Sequence, residues 1–167
     1  MLVHENKVSK EFIQKVKEIS IRLQINPNWL MVVIELETAG TFRADIQNSL
    51  GYTGLIQFGK KTAEWIGTSV EDLVQMTEIE QLYWVEKYLE KYSSKVKNLS
   101  DLYLSVFFPI AIGKKDGWSL QTKRLSAEKI AKWNPLFDIN KDSQIQIWEI
   151  KTKLFQRVPD QFKFCIL

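Results

Sequence analysis

The chain has 167 residues, 45% of them hydrophobic, and a net charge of +3. This length suits one domain, or one domain with a small appendage, and it can bury a hydrophobic core. The small charge and the lack of a basic stripe argue against nucleic acid as a partner. The lone Cys165 excludes an internal disulfide, and the single histidine, His4, lies too near an end to favour a histidine-based triad or a zinc site.

The first ten residues show neither the apolar segment nor the small-residue cleavage site of a signal peptide. The apolar run Leu102–Ile112 is too short for a membrane helix and contains Pro109. We expect no transmembrane segment, and we take the protein as a monomer.

Helix start and stop signals recur along the whole chain. Ser9 caps a first helix that ends near Ile25, and Asn26-Pro27-Asn28 marks a break and a new cap. The same signals predict helices at 60–66, from a Thr68 or Ser69 cap to 74, at 77–92, from a Ser100 cap through 102–112, and at 126–132. The predicted fold is therefore all-α, with most aromatic side chains of the 77–92 helix in the core.

The second helix carries a carboxylate to its end. Leu30, Val33, Ile34 and Glu37 recur at helical spacing, which places Glu37 on or beside the apolar face. Desolvation there raises the pKa of a carboxyl and favours a general acid near neutral pH. Glu35 lies roughly 200° around the helix, so we expect it to be a solvated residue.

A second motif follows at 51–58, where Gly51 and Gly54 open an apolar run that contains a single amide, Gln57. Glycine at these points permits a tight turn or a close approach of the backbone to a ligand. The motif thus predicts a shaped turn close to Glu37 in sequence.

Together, Glu37-Thr38-Ala39-Gly40-Thr41-Phe42 and Gly51-Tyr52-Thr53-Gly54-Leu55-Ile56-Gln57-Phe58 resemble the signature of the lytic transglycosylase family, which is related to goose-type lysozyme. The resemblance covers roughly residues 28 to 117. It implies a lysozyme-like fold and cleavage of the β-1,4 bond between N-acetylmuramic acid and N-acetylglucosamine in peptidoglycan. It makes Glu37 the acid and then the base, while the 6-hydroxyl of the sugar closes a 1,6-anhydro ring. The residues implied in substrate binding are Thr38, Tyr52, Gly54, Leu55, Gln57, Phe58 and Phe108.

Two positions bear on the mechanism. Phe108 falls where the family has a tyrosine lining the cleft, so that phenol is missing. Asp45 is the only carboxylate between the two motifs, and a hydrolytic muramidase would need such a group to hold a water molecule. We interpret Asp45 as a loop residue, but the hydrolytic route stays open.

Residues 138–149 match the twelve-residue EF-hand calcium loop. A structural calcium ion is therefore the one cofactor predicted, in a C-terminal helix-loop-helix. The departure is Ser143, which stands where glycine normally provides a positive φ. The alternative is a polar turn that caps the last helix. The predicted ligands are Asp138, Asn140, Asp142, Gln144 through its carbonyl, and Glu149, with Gln146 acting through water.

The predicted organisation is a transglycosylase domain at 1–125 and the EF-hand-like segment, packed on it, at 126–167. Peptidoglycan strands are the implied partner, so the site of action is the cell wall, in the periplasm or outside. Without a signal peptide, export would use another route, such as release by a phage holin or carriage on a virion. The alternative from another class is a non-catalytic calcium-binding or glycan-binding module of a phage structure.

Overall fold

The computed structural model describes residues 1–166 and is mainly helical, as the sequence predicts. Two compact units are formed, by residues 1–94 together with Ile166 and by residues 95–165. The boundary predicted at 125/126 falls inside the second unit. Within residues 1–166, no helix combines the length and apolar character that crossing a bilayer requires.

The first unit contains five α-helices. The predicted caps are present: the Ser9 hydroxyl accepts from the N–H of Phe12 at 3.1 Å, and Thr77 forms the predicted capping box with Glu80. A short 3-10 helix lies at Glu5–Lys7, and another at Ser93–Lys95 includes the first residue of the second unit. The α-helices are α1 (Lys10–Leu23), α2 (Pro27–Glu37), α3 (Lys60–Ile66), α4 (Val70–Gln75) and α5 (Glu78–Leu89).

In this unit α1 packs against α2 and α5, and α3 packs against α5. Helix α2 is buried on most of its circumference, since every side chain from Leu30 to Glu35 is buried. The prediction that most aromatic side chains of the 77–92 helix lie in the core is wrong, because Tyr88 is buried but Tyr83 is 53% exposed and Trp84 and Tyr92 are only partly buried. The apolar helix α2 thus forms the centre of the unit and ends at Glu37.

The second unit contains α6 (Leu99–Phe107), α7 (Ala127–Trp133) and α8 (Ile147–Gln156), with α6 packed against α8. The predicted Ser100 cap is wrong, because the Asn98 side chain accepts from the N–H of Asp101 at 2.9 Å and the helix begins at Leu99. The helix also ends before the predicted 112, since Pro109 opens a 3-10 turn at Pro109–Ala111. A further 3-10 helix covers Asp160–Cys165.

Candidate functional site around Glu37

Glu37 is the last residue of α2, and its side chain is half-buried. The chain then turns sharply, with left-handed backbone at Ala39 and Gly40. The Thr38 hydroxyl donates to the carbonyl of Ile34 at 2.7 Å and accepts from the N–H of Phe42 at 3.0 Å. Thr38, a predicted substrate-binding residue, is fully buried and fixes the turn that ends the helix beside Glu37.

The prediction that Glu35 is solvated is wrong. Glu35 is only 6% exposed, and its Oε1 lies 3.9 Å from the ammonium of Lys7. The prediction assumed one buried face, whereas α2 is surrounded by protein on most sides. The two glutamates are therefore in different environments, one next to a lysine inside the unit and one at the end of the helix.

The second motif folds as a compact turn. The N–H of Thr53 donates to the carbonyl of Phe58 at 3.0 Å, the N–H of Phe58 donates back at 2.7 Å, and the N–H of Gly54 donates to Ile46 at 2.8 Å. Gln57 has a positive φ of 52°, and its amide nitrogen donates to the Gly54 carbonyl at 3.1 Å. The predicted Gly54–Phe58 turn is thus held by its own backbone and by the Gln57 side chain.

A buried amide that the motif analysis missed supports this turn. Gln81 of α5 is fully buried; its Oε1 accepts from the N–H of Leu55 at 2.6 Å, and its amide nitrogen donates to the carbonyls of Ala44 and Leu73, each at 3.0 Å. The available signal was its spacing, because Gln81 lies four residues before Val85, on the buried face of α5. This side chain joins three separate segments of the unit.

The backbone of Gly54 lies close to the side chain of Gln81. Its φ is +79°, and a Cβ atom there would lie 2.1 Å from the Oε1 of Gln81. The glycine is required by both conformation and space.

An aromatic cluster surrounds the phenol of Tyr88, which is 7% exposed. Its ring lies 6.3 Å from Phe58, 6.2 Å from Trp65 and 5.5 Å from Tyr92, between centroids. Burial, then the neighbouring Tyr92 and the charge of Glu37, raise the pKa of Tyr88. Tyr88 is therefore a neutral phenol at physiological pH, within electrostatic range of the proposed catalytic carboxylate.

Replacing Tyr88 by phenylalanine tests this environment. A raised pKa means that the folded state binds the phenolic proton more tightly than the unfolded state. The resulting stability is fully present below about pH 10, the pKa of an unperturbed tyrosine, and is lost as pH rises through the higher folded value. We expect urea unfolding to show a smaller loss of stability above about pH 10 in Tyr88→Phe than in the unsubstituted protein. Equal losses would contradict the buried phenol, and Tyr83→Phe, which alters an exposed ring, is the control.

The other predicted substrate-binding residues are distributed as follows. Leu55 and Phe58 are buried, and Tyr52 is 43% exposed with its ring packed close to Gly59. Phe108 lies in the second unit, where its ring centroid is 6.4 Å from that of Trp118. The resemblance implies a cleft between the helix that carries Glu37 and the helix that ends at Phe108, and this stays a prediction.

Asp45, the alternative second carboxylate, is exposed. Its two oxygens accept from the guanidinium of Arg43 at 2.8 and 2.6 Å. These hydrogen bonds lower the pKa of Asp45.

Two surface cavities of about 360 and 320 Å³ share Arg43 and Glu78 in their walls, and Glu37 lines neither.

The predicted calcium loop has a folded interior. Asp138 accepts from the N–H groups of Asp142 and Ser143, each at 3.1 Å, and Asn140 accepts from the N–H of Asp142 at 3.1 Å. Ser143 has a φ of +65°, the conformation that the missing glycine would favour. The backbone therefore makes the predicted turn with serine in place of glycine.

Glu149 closes the loop and is fully buried. Its Oε1 accepts from the N–H of Ile139 at 2.7 Å, and its Oε2 accepts from the N–H of Gln146 at 2.8 Å. The exit half of the loop pairs with an earlier segment, since the N–H of Leu120 donates to the carbonyl of Ile145 at 2.8 Å. The carboxylate thus links the beginning and the end of the loop.

These residues fit a calcium ion by donor type and by backbone turn, because the predicted donors are all oxygen atoms, as a hard cation requires. They do not form a cluster of acidic side chains: across residues 1–166, no group of three or more His, Cys, Asp or Glu is arranged to hold a metal ion. The predicted set depends in part on the amide of Asn140 and the carbonyl of Gln144.

Comparison of the chain with protein-family models, with curated proteins and with solved structures gives no match. The resemblance to lytic transglycosylases therefore rests on the two motifs and on the residues around Glu37.

Proposed function

We propose that the protein is a peptidoglycan-cleaving enzyme with a lysozyme-like fold, and that Glu37 breaks the β-1,4 bond between N-acetylmuramic acid and N-acetylglucosamine. The observation that carries the proposal is the position of Glu37. It ends a buried helix, is half-buried itself, and lies within electrostatic range of a neutral, buried phenol, Tyr88. A carboxyl at the boundary between core and solvent is suited to exchanging a proton with a bound sugar.

In the proposed reaction Glu37 first protonates the glycosidic oxygen as the bond breaks. The resulting carboxylate then takes the proton of the 6-hydroxyl of the muramic sugar, whose oxygen closes the 1,6-anhydro ring. One carboxylate is sufficient for both steps, since each returns it to the state that the other needs.

A hydrolytic muramidase is the nearest alternative, with Asp45 holding the water molecule. The double hydrogen bond from Arg43 stabilises the charged form of Asp45 and makes it a weaker base. This pairing favours the anhydro route over hydrolysis.

Mass spectrometry of the products from purified peptidoglycan tests the proposal. We expect muropeptides that end in 1,6-anhydromuramic acid. Reducing ends would establish the hydrolytic alternative, and Asp45→Asn would then be expected to remove activity. An absence of products, with calcium present, would contradict the proposed enzymatic activity and favour a calcium-binding or glycan-binding module.

We also propose that the 138–149 loop binds calcium as a structural ion. The observation in favour is the positive φ of Ser143, because the loop adopts its turn at an energetic cost without the usual glycine. Asp138, Asn140, Asp142 and Glu149 would supply side-chain oxygens and Gln144 its carbonyl.

Thermal unfolding with and without millimolar calcium tests this site. An ion that binds only the folded state stabilises it by about 2.7 kcal/mol at a hundred times its dissociation constant. We expect calcium to raise the melting temperature, Asp138→Ala to remove the rise, and Asp160→Ala, outside the loop, to retain it. Ser143→Gly should add about 1 kcal/mol to the free energy of unfolding by relieving the left-handed backbone. If calcium leaves the melting temperature unchanged, the loop is a turn that caps the last helix and not a calcium site.

A further inference from the structure

An exposed surface of the first unit combines aromatic rings with ammonium groups. We call Trp65, Trp84, Lys87, Lys91 and Tyr92 the aromatic–lysine surface. The ammonium of Lys87 lies 5.0 Å from the ring centroid of Trp84. That of Lys91 lies 4.4 Å from the ring of Trp65 and 5.5 Å from the ring of Tyr92.

Four members of this surface lie on α5 or directly after it, and Trp65 lies on α3. Lys87 is near the end of α5, and Lys91 follows in the turn after Leu89, where the helix ends. The two pairs are related through α3 as well, since Lys87 reaches to within 3.6 Å of the Cβ position of Gly67, which ends the helix that carries Trp65. The surface therefore brings residues of α3 and of the end of α5 together, with rings and ammonium groups side by side.

This surface is continuous with the candidate site. Trp65 makes an edge-to-face contact with Tyr88, at 6.2 Å and 84°. Tyr88 in turn contacts Phe58 of the second motif. A chain of ring contacts thus leads from the motif turn, through the buried ring of Tyr88, to the exposed Trp65.

The chemistry of the surface selects a ligand class. Trp65 is 54% exposed, so much of its area is available for contact, and flat apolar faces of pyranose rings pack on aromatic faces. Ammonium groups beside these rings attract carboxylates. Peptidoglycan strands carry both features, because their sugars have apolar faces and their stem peptides end in free carboxylates.

We propose that the aromatic–lysine surface is an outer binding site for an acid-bearing glycan strand, in which Trp65 stacks on a sugar ring and Lys91 turns from the indole to a stem-peptide carboxylate. This inference rests on the proposed function, and it names the part of the substrate that the surface recognises. It predicts that stacking and charge contribute separately.

Isothermal titration calorimetry on the Glu37→Gln variant separates these contributions, with lysis by the unsubstituted protein scored in parallel. The two ligands are chitohexaose, which is neutral, and soluble peptidoglycan strands that retain their stem peptides. Trp65→Ala is expected to weaken binding of both ligands about five- to tenfold. Lys91→Ala is expected to weaken binding of the strands about threefold, with chitohexaose unchanged. The Lys91 effect should diminish at high ionic strength, since the pair is exposed to solvent.

Matched controls come from the second unit. Trp133 is 65% exposed, and Lys163 lies 4.9 Å from the ring of Phe155, so Trp133→Ala and Lys163→Ala make the same chemical changes elsewhere. Both should bind as the parent does.

The inference is overturned if Trp65→Ala binds as tightly as its parent, if Lys91→Ala affects both ligands equally, or if the parent binds neither ligand. A protein that binds as predicted but releases no products supports the surface and contradicts only the proposed catalytic function.

Discussion

Glu37→Gln is expected to abolish the lysis of purified peptidoglycan while leaving the fold intact. The amide matches the carboxyl in shape but can neither donate an acidic proton nor accept one as a base. General acid–base catalysis contributes about 10²- to 10⁴-fold in rate, and here one group performs both steps. The substitution also keeps the size and shape of a half-buried side chain at the end of α2, so we expect the fold to persist. Release of soluble muropeptides and the thermal unfolding midpoint are the two measurements.

The matched control is Glu35→Gln, which makes the same change two residues earlier on the same helix. Glu35 is buried beside Lys7, so its neutralisation should lower the free energy of unfolding by about 1 kcal/mol and leave the rate of lysis unchanged. The two variants therefore have opposite expected effects. Residual lysis by Glu37→Gln at the unsubstituted rate would remove Glu37 from the mechanism.

Gly54→Ala is expected to destabilise the first unit strongly, lowering the free energy of unfolding by about 2 to 5 kcal/mol. Two costs combine: a left-handed residue acquires a Cβ, and that Cβ would lie 2.1 Å from the Oε1 of Gln81. Because Gln81 is held by three hydrogen bonds to separate segments, it has no free direction in which to move. Urea unfolding followed by circular dichroism gives the free energy directly.

Gly51→Ala provides the control for conformation alone. Gly51 has nearly the same φ, +78°, but nothing lies within 4 Å of its Cβ position, so we expect a loss of only about 1 kcal/mol. Equal losses of unfolding free energy in Gly54→Ala and Gly51→Ala would show that the Gln81 side chain can move aside and that the turn is not rigid.

Local signals predicted most of the helices. Ser9, Asn26, Ser69 and Thr77 act as caps because a side-chain oxygen beside a free N–H is a short-range interaction that the sequence displays. The prediction of a Ser100 cap was wrong because Asn98, two residues earlier, is an equally suitable cap, and the choice between them depends on the fold. Local chemistry thus indicates that a helix starts, and the surrounding structure determines where.

The candidate site was predicted less completely. Glu37 and the 51–58 turn were identified from their motifs, whereas Glu35, Gln81 and Tyr88 required three-dimensional contacts. The environment of Glu35 depends on how many elements surround α2, and that of Gln81 on carbonyls 37 and 8 residues away in the chain. Helical periodicity indicates a buried face but does not identify its neighbours.

The three hydrogen bonds of Gln81 also bear on how the turn moves. An N–H bonded to a buried side chain that also holds two other segments cannot reach solvent by local fraying. The amide proton of Leu55 should therefore exchange with solvent only through opening of the whole unit, on the slow scale of its α-helices. The 51–58 turn should therefore be a rigid part of the first unit, and under the proposed function it would stay fixed during catalysis instead of opening as a lid.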